Sequence, residues 1–138
     1  MTLIDTGPLV AAFAVRDANH DRVNRILEHA SFPLETTDAC FVEAMYFLAG
    51  LGGAPLQAEL LDMRLMGELV VGELSQGQLQ RIRHLIVQYE NVPMDYAEAT
   101  LVVTADARKY KSIFTFDSDF RIYRLEDGSA LEIIGADL

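Results

Sequence analysis

Five acidic residues, Asp5, Glu43, Asp95, Glu98 and Asp117, sit in otherwise apolar stretches, and they are where this chain could do chemistry. Asp5 is the sole charge among the first fifteen residues, and it ends the run Leu3-Ile4 just before Thr6-Gly7-Pro8. Glu43 is the sole charge between Ala39 and Ala49. Asp95 and Glu98 open the apolar stretch that continues through Leu101, Val102 and Val103, and Asp117 ends the run Ser112-Ile-Phe-Thr-Phe116. Burying an unpaired charge is costly, so carboxylates that recur in such places point to one shared, oxygen-rich metal site. Hard divalent cations such as Mg²⁺ and Mn²⁺ favour carboxylate oxygens. Held this way, such an ion neutralises a phosphate and activates a water, which predicts in-line hydrolysis of a phosphodiester. Zinc has no His or Cys cluster to hold it. His20, His29 and His84 are scattered over polar helical segments and read as surface residues, and Cys40 reads as a small core residue.

Each acid also has a structural role open to it. Asp95-Tyr-Ala-Glu98 fits a relaxed capping box, so cap and ligand are equally available to that pair. Asp5 before Thr-Gly-Pro and Asp117 before Ser-Asp could be turn residues. Glu43 is harder to place structurally, because its helix has almost no polar face. Four positions in matching topological places decide for the metal site.

The elements that must position these acids alternate. Strand 2–5 is followed by helices over 8–14 and 18–30, with Pro8 at a first helical position and Asp17 as an N-cap. A short strand over 33–37 leads to helix 39–50, closed by Gly50. Helix 55–66, strand 68–72 and a helix opened by the capping-box spacing Ser75-Gln-Gly-Gln78 come next. Helix 95–108, strand 112–116 and strand 131–134 complete the chain. This pattern predicts a single α/β domain over 1–138, with a small, mainly parallel sheet sandwiched by helices. Ligands of such sheets bind beyond the carboxyl ends of the strands, where Asp5 and Asp117 fall. Residues 95, 98, 101, 102 and 105 share one helical face, so the two acids lie at the open end of an inward stripe.

Composition bounds the partners. With 138 residues, half of them hydrophobic and 23% charged, the chain can build a core and is not disordered. Its apolar runs are too short to cross a bilayer, and its start lacks the pattern of a signal peptide. A lone cysteine allows no internal disulfide, which fits a cytoplasmic location. The net charge of −10 argues against nucleic acid at first sight, but about five of the acids would be neutralised by metal. Arg108, Lys109, Lys111, Arg121 and Arg124 are grouped, and they serve equally well as solvated charges. Net charge therefore does not decide the partner.

Four segments together resemble the PIN-domain ribonucleases, in particular the VapC-type toxins of toxin–antitoxin pairs. They are Leu3-Ile-Asp-Thr-Gly-Pro-Leu-Val10, Phe41-Val-Glu-Ala-Met45, Pro93-Met-Asp-Tyr-Ala-Glu-Ala-Thr-Leu-Val-Val103 and Ile113-Phe-Thr-Phe-Asp-Ser-Asp-Phe120. The resemblance implies an acidic pocket of Asp5, Glu43, the Asp95/Glu98 pair and Asp117. It places Thr6 and Thr115 beside that pocket as hydroxyl groups and Asp119 at its rim. It further implies Mg²⁺ or Mn²⁺ as cofactor, RNA as substrate, a homodimer, and silencing by a cognate antitoxin. One departure is that the family's third acid is usually aspartate, whereas Glu98 holds that place here. Two rivals stand beside this reading. A non-catalytic binding module on the same fold would lack Mn²⁺ affinity. A phosphoacceptor receiver domain would need neighbouring acids after the first strand and a lysine soon after Asp117, and this chain has neither.

Overall fold

The computed structural model describes residues 1–135. Five strands form its sheet: β1 (Thr2–Leu3), β2 (Leu34–Thr37), β3 (Leu69–Gly72), β4 (Ser112–Phe114) and β5 (Glu132–Ile134). β1, β2 and β3 pair in parallel, as do β4 and β5, and a parallel bridge from Ile4 to Phe114 joins the two sets. The resulting order is β5-β4-β1-β2-β3. Six α-helices cover it: α1 (Thr6–Phe13), α2 (His20–Leu27), α3 (Asp38–Gly52), α4 (Ala54–Leu65), α5 (Gln76–Gln88) and α6 (Tyr96–Arg108).

Strand alternation sends successive side chains to opposite faces and so builds two cores. Leu3, Ile113 and Ile133 pack with α5 and α6, against Ile82, Leu85, Leu101 and Val102. Ile4, Phe114 and Ile134 pack the other way, with Leu9, Val23, Leu48 and Leu60 from α1 to α4. α6 is buried along most of its length, from Ala97 to Ala105, which makes it the wall that carries Glu98 to the strand ends.

Several boundaries differ from the sequence reading, and capping explains most of the differences. β1 stops at Leu3, because Asp5 turns the chain and N-caps a helix that starts at Thr6 rather than Pro8. α2 starts at His20 behind Asn19, while Asp17 instead accepts from the Asn19 amide at 2.8 Å in a local turn. α3 runs on past Gly50 to Gly53, whose φ of 71° lies in the left-handed region open to glycine. β4 ends at Phe114, which leaves Thr115 to Asp117 as connecting chain. The Ser75/Gln78 capping box is present on both sides. His20 is half-buried rather than superficial, with Nδ1 2.7 Å from the Ala11 carbonyl oxygen.

Candidate metal centre

The centre is assembled from the starts of helical segments. Asp5 N-caps α1: its Oδ1 accepts from the Thr6 amide at 2.7 Å and its Oδ2 from the Thr115 hydroxyl at 2.8 Å. The Thr115 oxygen also accepts from the Asp117 amide at 3.0 Å, so one buried side chain ties the two acids together. Asp117 then caps the 3-10 turn Ser118–Arg121, accepting from the Asp119 amide at 2.9 Å. Asp95 caps α6 by accepting from the Glu98 amide at 2.7 Å. Glu43, one turn into α3, accepts from the Thr6 hydroxyl at 2.8 Å. Glu98 accepts from the hydroxyl of Tyr123, whose ring is held edge-on by Tyr89 and Phe120.

Asp5, Thr6, Glu43, Asp95 and Glu98 line one cleft of about 340 Å³. Asp117 and Thr115 line an adjoining cleft of about 220 Å³, and Asn19 and Phe116 wall both. One carboxylate oxygen each from Glu98, Asp117 and Asp119 lies within 4.8 Å of the others, which brings Asp119 from the expected rim into the cluster. Glu98, rather than Asp95, is therefore the acid of α6 that reaches Asp117. Asp95 still opens into the same cleft as Asp5.

The electrostatics are those of crowded anions. Burial pushes the Asp5 carboxyl up, against the hydrogen bonds from Thr115 and Thr6, and repulsion from Asp117 and Glu43 adds to the rise. Burial, with Asp95 and Asp117 adding repulsion, pushes Glu98 up to about 7, although the Tyr123 hydrogen bond opposes the shift. Among the described residues, no Lys, Arg or His nitrogen lies within 4.0 Å of a carboxylate oxygen of these six acids. Helix starts and hydroxyls offset only part of the charge. The donor set is entirely carboxylate oxygen, and a hard divalent cation fits it. Cys40 Sγ lies 3.8 Å from Asp5 Oδ1, but burial pushes its thiol up to about 12, so it stays protonated and belongs to the core.

A family model described as PIN domain matches residues 2–125. The chain belongs to the PIN-domain family. Within that family it is 22% identical, over 115 residues, to Ribonuclease VapC26 of Mycobacterium tuberculosis, covering 83% of this chain and 85% of that one. Its fold matches the crystal structure of VapC20, a sarcin-ricin-loop-cleaving toxin of the same organism, with a TM-score of 0.81 at 17% identity over 88% of this chain and 94% of that one. It also matches a chain of a toxin–antitoxin complex from Klebsiella pneumoniae, with a TM-score of 0.66 at 20% identity over 87% and 90%. In this PIN domain, sequence reasoning missed Asn19, Phe116 and Tyr123 at the site. Tyr123 left no local signal, because its contact spans 25 positions. Asp17, read as a cap, is a further acid lining the main cleft.

Proposed function

We propose that the chain is a Mg²⁺- or Mn²⁺-dependent endoribonuclease acting as the toxin of a toxin–antitoxin pair, its whole length forming one nuclease domain. The observation that carries this reading is the convergence of Asp5, Glu43, Glu98 and Asp117, from four separate stretches, with no ion pair to any of them among the described residues. Asp5, Glu98, Asp117 and Asp119 would hold the ion, with Glu43 and Asp95 completing the shell. Once bound, Mg²⁺ or Mn²⁺ supplies charge neutralisation at the phosphate and lowers the pKa of a water. The protein's own contribution is preorganisation. Thr115 fixes Asp5 and Asp117 relative to one another, Thr6 orients Glu43, and Tyr123 orients Glu98. Glu43, exposed like Asp95, would orient the attacking water or take its proton.

Two surfaces support the proposed partners. A groove of about 510 Å³ between α1, α2 and α4 has an apolar floor that includes Leu9, Phe13 and Met63. Its rim carries Glu59, Asp62 and Glu68, which suits an amphipathic antitoxin helix with basic flanks. On α3, Val42, Tyr46 and Leu51 are exposed apolar side chains that would serve a homodimer. Among the described residues no helix is long and apolar enough to cross a membrane, and we assign the protein to the cytoplasm.

The deciding experiment is RNA cleavage in Mg²⁺ or Mn²⁺ by the parent and by Asp5→Asn, a substitution that keeps a good N-cap. Loss of cleavage with the fold retained supports the reading. Equal cleavage by both proteins removes Asp5 from the mechanism, and a parent that neither binds Mn²⁺ nor cuts RNA makes the chain a non-catalytic binding module.

A further inference from the structure

A cleft of about 620 Å³, larger than either at the acid cluster, runs between α2 and the β4–β5 edge of the sheet. Its rim carries Arg22, Arg25 and His29, and its floor is Ile26, Phe114 and Ile134. The chain has 21 acidic residues against 11 basic ones, yet no carboxylate is among the described residues lining this cleft. On so acidic a protein, that asymmetry marks a place for an anion.

This cleft shares no lining residue with the two site clefts, but α2 runs from them to it. Asn19, the N-cap of α2, walls both site clefts, and Arg22 and Ile26 follow it at helical spacing on the same flank. From Asn19 to Ile26 the helix advances about 10 Å. At the near end, Phe116 stands between the two site clefts with 39% of its surface exposed, and Arg121 lines the second of them. An exposed aromatic ring followed by a row of arginines suits an unpaired base and then a run of phosphates.

We propose that single-stranded RNA leaves the acid-lined cleft over Phe116, passes Arg121 and Asn19, and lays its phosphates along Arg22 and Arg25 of α2. This flank would hold the substrate beyond the scissile bond without reading its bases. The inference rests on the ribonuclease reading and extends it. It also separates the basic residues by task. Arg108 is taken up by Glu35, and Arg124 by the carbonyls of Arg121, Ile122 and Tyr123, so two of the five basic residues grouped in the sequence are structural.

The test is fluorescence-anisotropy binding of a short single-stranded RNA in the Asp5→Asn background, which keeps the oligonucleotide intact. Arg22→Gln with Arg25→Gln should weaken binding on the order of tenfold and flatten the dependence of log K on log salt by about 1.4, at roughly 0.7 per phosphate contact. Arg83→Gln with Lys111→Gln, an equal charge change on exposed side chains outside this cleft, is the control and should shift affinity less than twofold. If the parent cuts RNA but the Arg22/Arg25 pair binds it with unchanged affinity and slope, the path is wrong and the nuclease reading survives. If the pair loses affinity for a polyglutamate peptide but not for RNA, the flank serves an acidic protein and the path is equally wrong. A parent that neither cuts nor binds RNA removes both readings.

Discussion

Glu35 and Asp5 are both carboxylates taken out of water by the same sheet, and the structure treats them in opposite ways. Glu35 lies in the middle of β2 with 1% of its surface exposed. It accepts from the Tyr110 hydroxyl at 2.5 Å and from Arg108 Nε at 3.3 Å, so its charge is balanced within the chain. Asp5 has no ion pair among the described residues; it is given only an amide and a hydroxyl and is set among other acids. A buried anion without a counter-charge raises the energy of the folded state, and the usual outcome is protonation or an external cation. Glu35 is balanced as folded, whereas Asp5 is left without a counter-charge, which is what the proposed metal site would supply.

The contrast can be broken or sharpened by experiment, starting with the largest effect. Asp5→Asn should reduce RNA cleavage by about a thousandfold or more, the several kcal/mol that a bound divalent ion contributes to phosphoryl chemistry. It should also abolish the rise in melting temperature that Mn²⁺ produces in the parent. Glu35→Ala should do the reverse in kind. It should cost about 3 kcal/mol in urea denaturation, from the cavity and the orphaned Tyr110 hydroxyl, while leaving the Mn²⁺-induced shift in place. If Glu35→Ala removes the shift as well, the two carboxylates are not separate in role.

Tyr123→Phe probes the step between these extremes. It deletes the hydrogen bond to Glu98 without changing shape, and Mn²⁺ affinity by calorimetry should fall about tenfold, in the range of outer-shell ligand partners. Unchanged affinity would leave Tyr123 a packing residue. The smallest effect is on pH. Glu98 has a folded pKa of about 7 against an ordinary 4.5, and Asp5 is shifted in the same direction. The folded, metal-free protein therefore holds protons that the unfolded chain releases. The stability this gives is fully present below the unfolded pKa and is lost as pH rises through the folded one. The metal-free melting temperature should fall by a few degrees between about pH 5 and 8, whereas the gain from added Mn²⁺ should grow over the same range. A metal-free melting curve that rises with pH would contradict the crowded-anion picture.

Much of this was readable from residues alone, for reasons the structure makes concrete. Apolar runs, helical spacing and capping or turn residues located the five strands and six α-helices of the described residues, since those signals are local, but not the 3-10 turn Ser118–Arg121. Boundaries slipped where capping competes with strand or helix. Asp5 ends β1 early because its side chain binds the next amide, and Tyr123 lies beyond the reach of local rules because its partner, Glu98, is 25 positions away. Of the acids, Asp5, Glu43, Asp95 and Glu98 share a cleft as expected, and Asp117 joins them through Thr115. Glu35 drew no notice, because a charge in a short polar-looking run, Glu35-Thr-Thr37, gives no sign of being covered on both sides. Arg22 and Arg25 were passed over for a similar reason. On α2 they look like ordinary solvated charge, and only tertiary structure shows that no acid lines the cleft beside them.

Asp5, Asp95 and Asp117 each spend one oxygen on the first amides of the segment they begin. Their direction is thus inherited from the main chain rather than chosen by a freely rotating side group. An ion bound as proposed would find donors that have already given up their motion, so its capture should carry little ordering entropy, and the cup should keep its shape when empty.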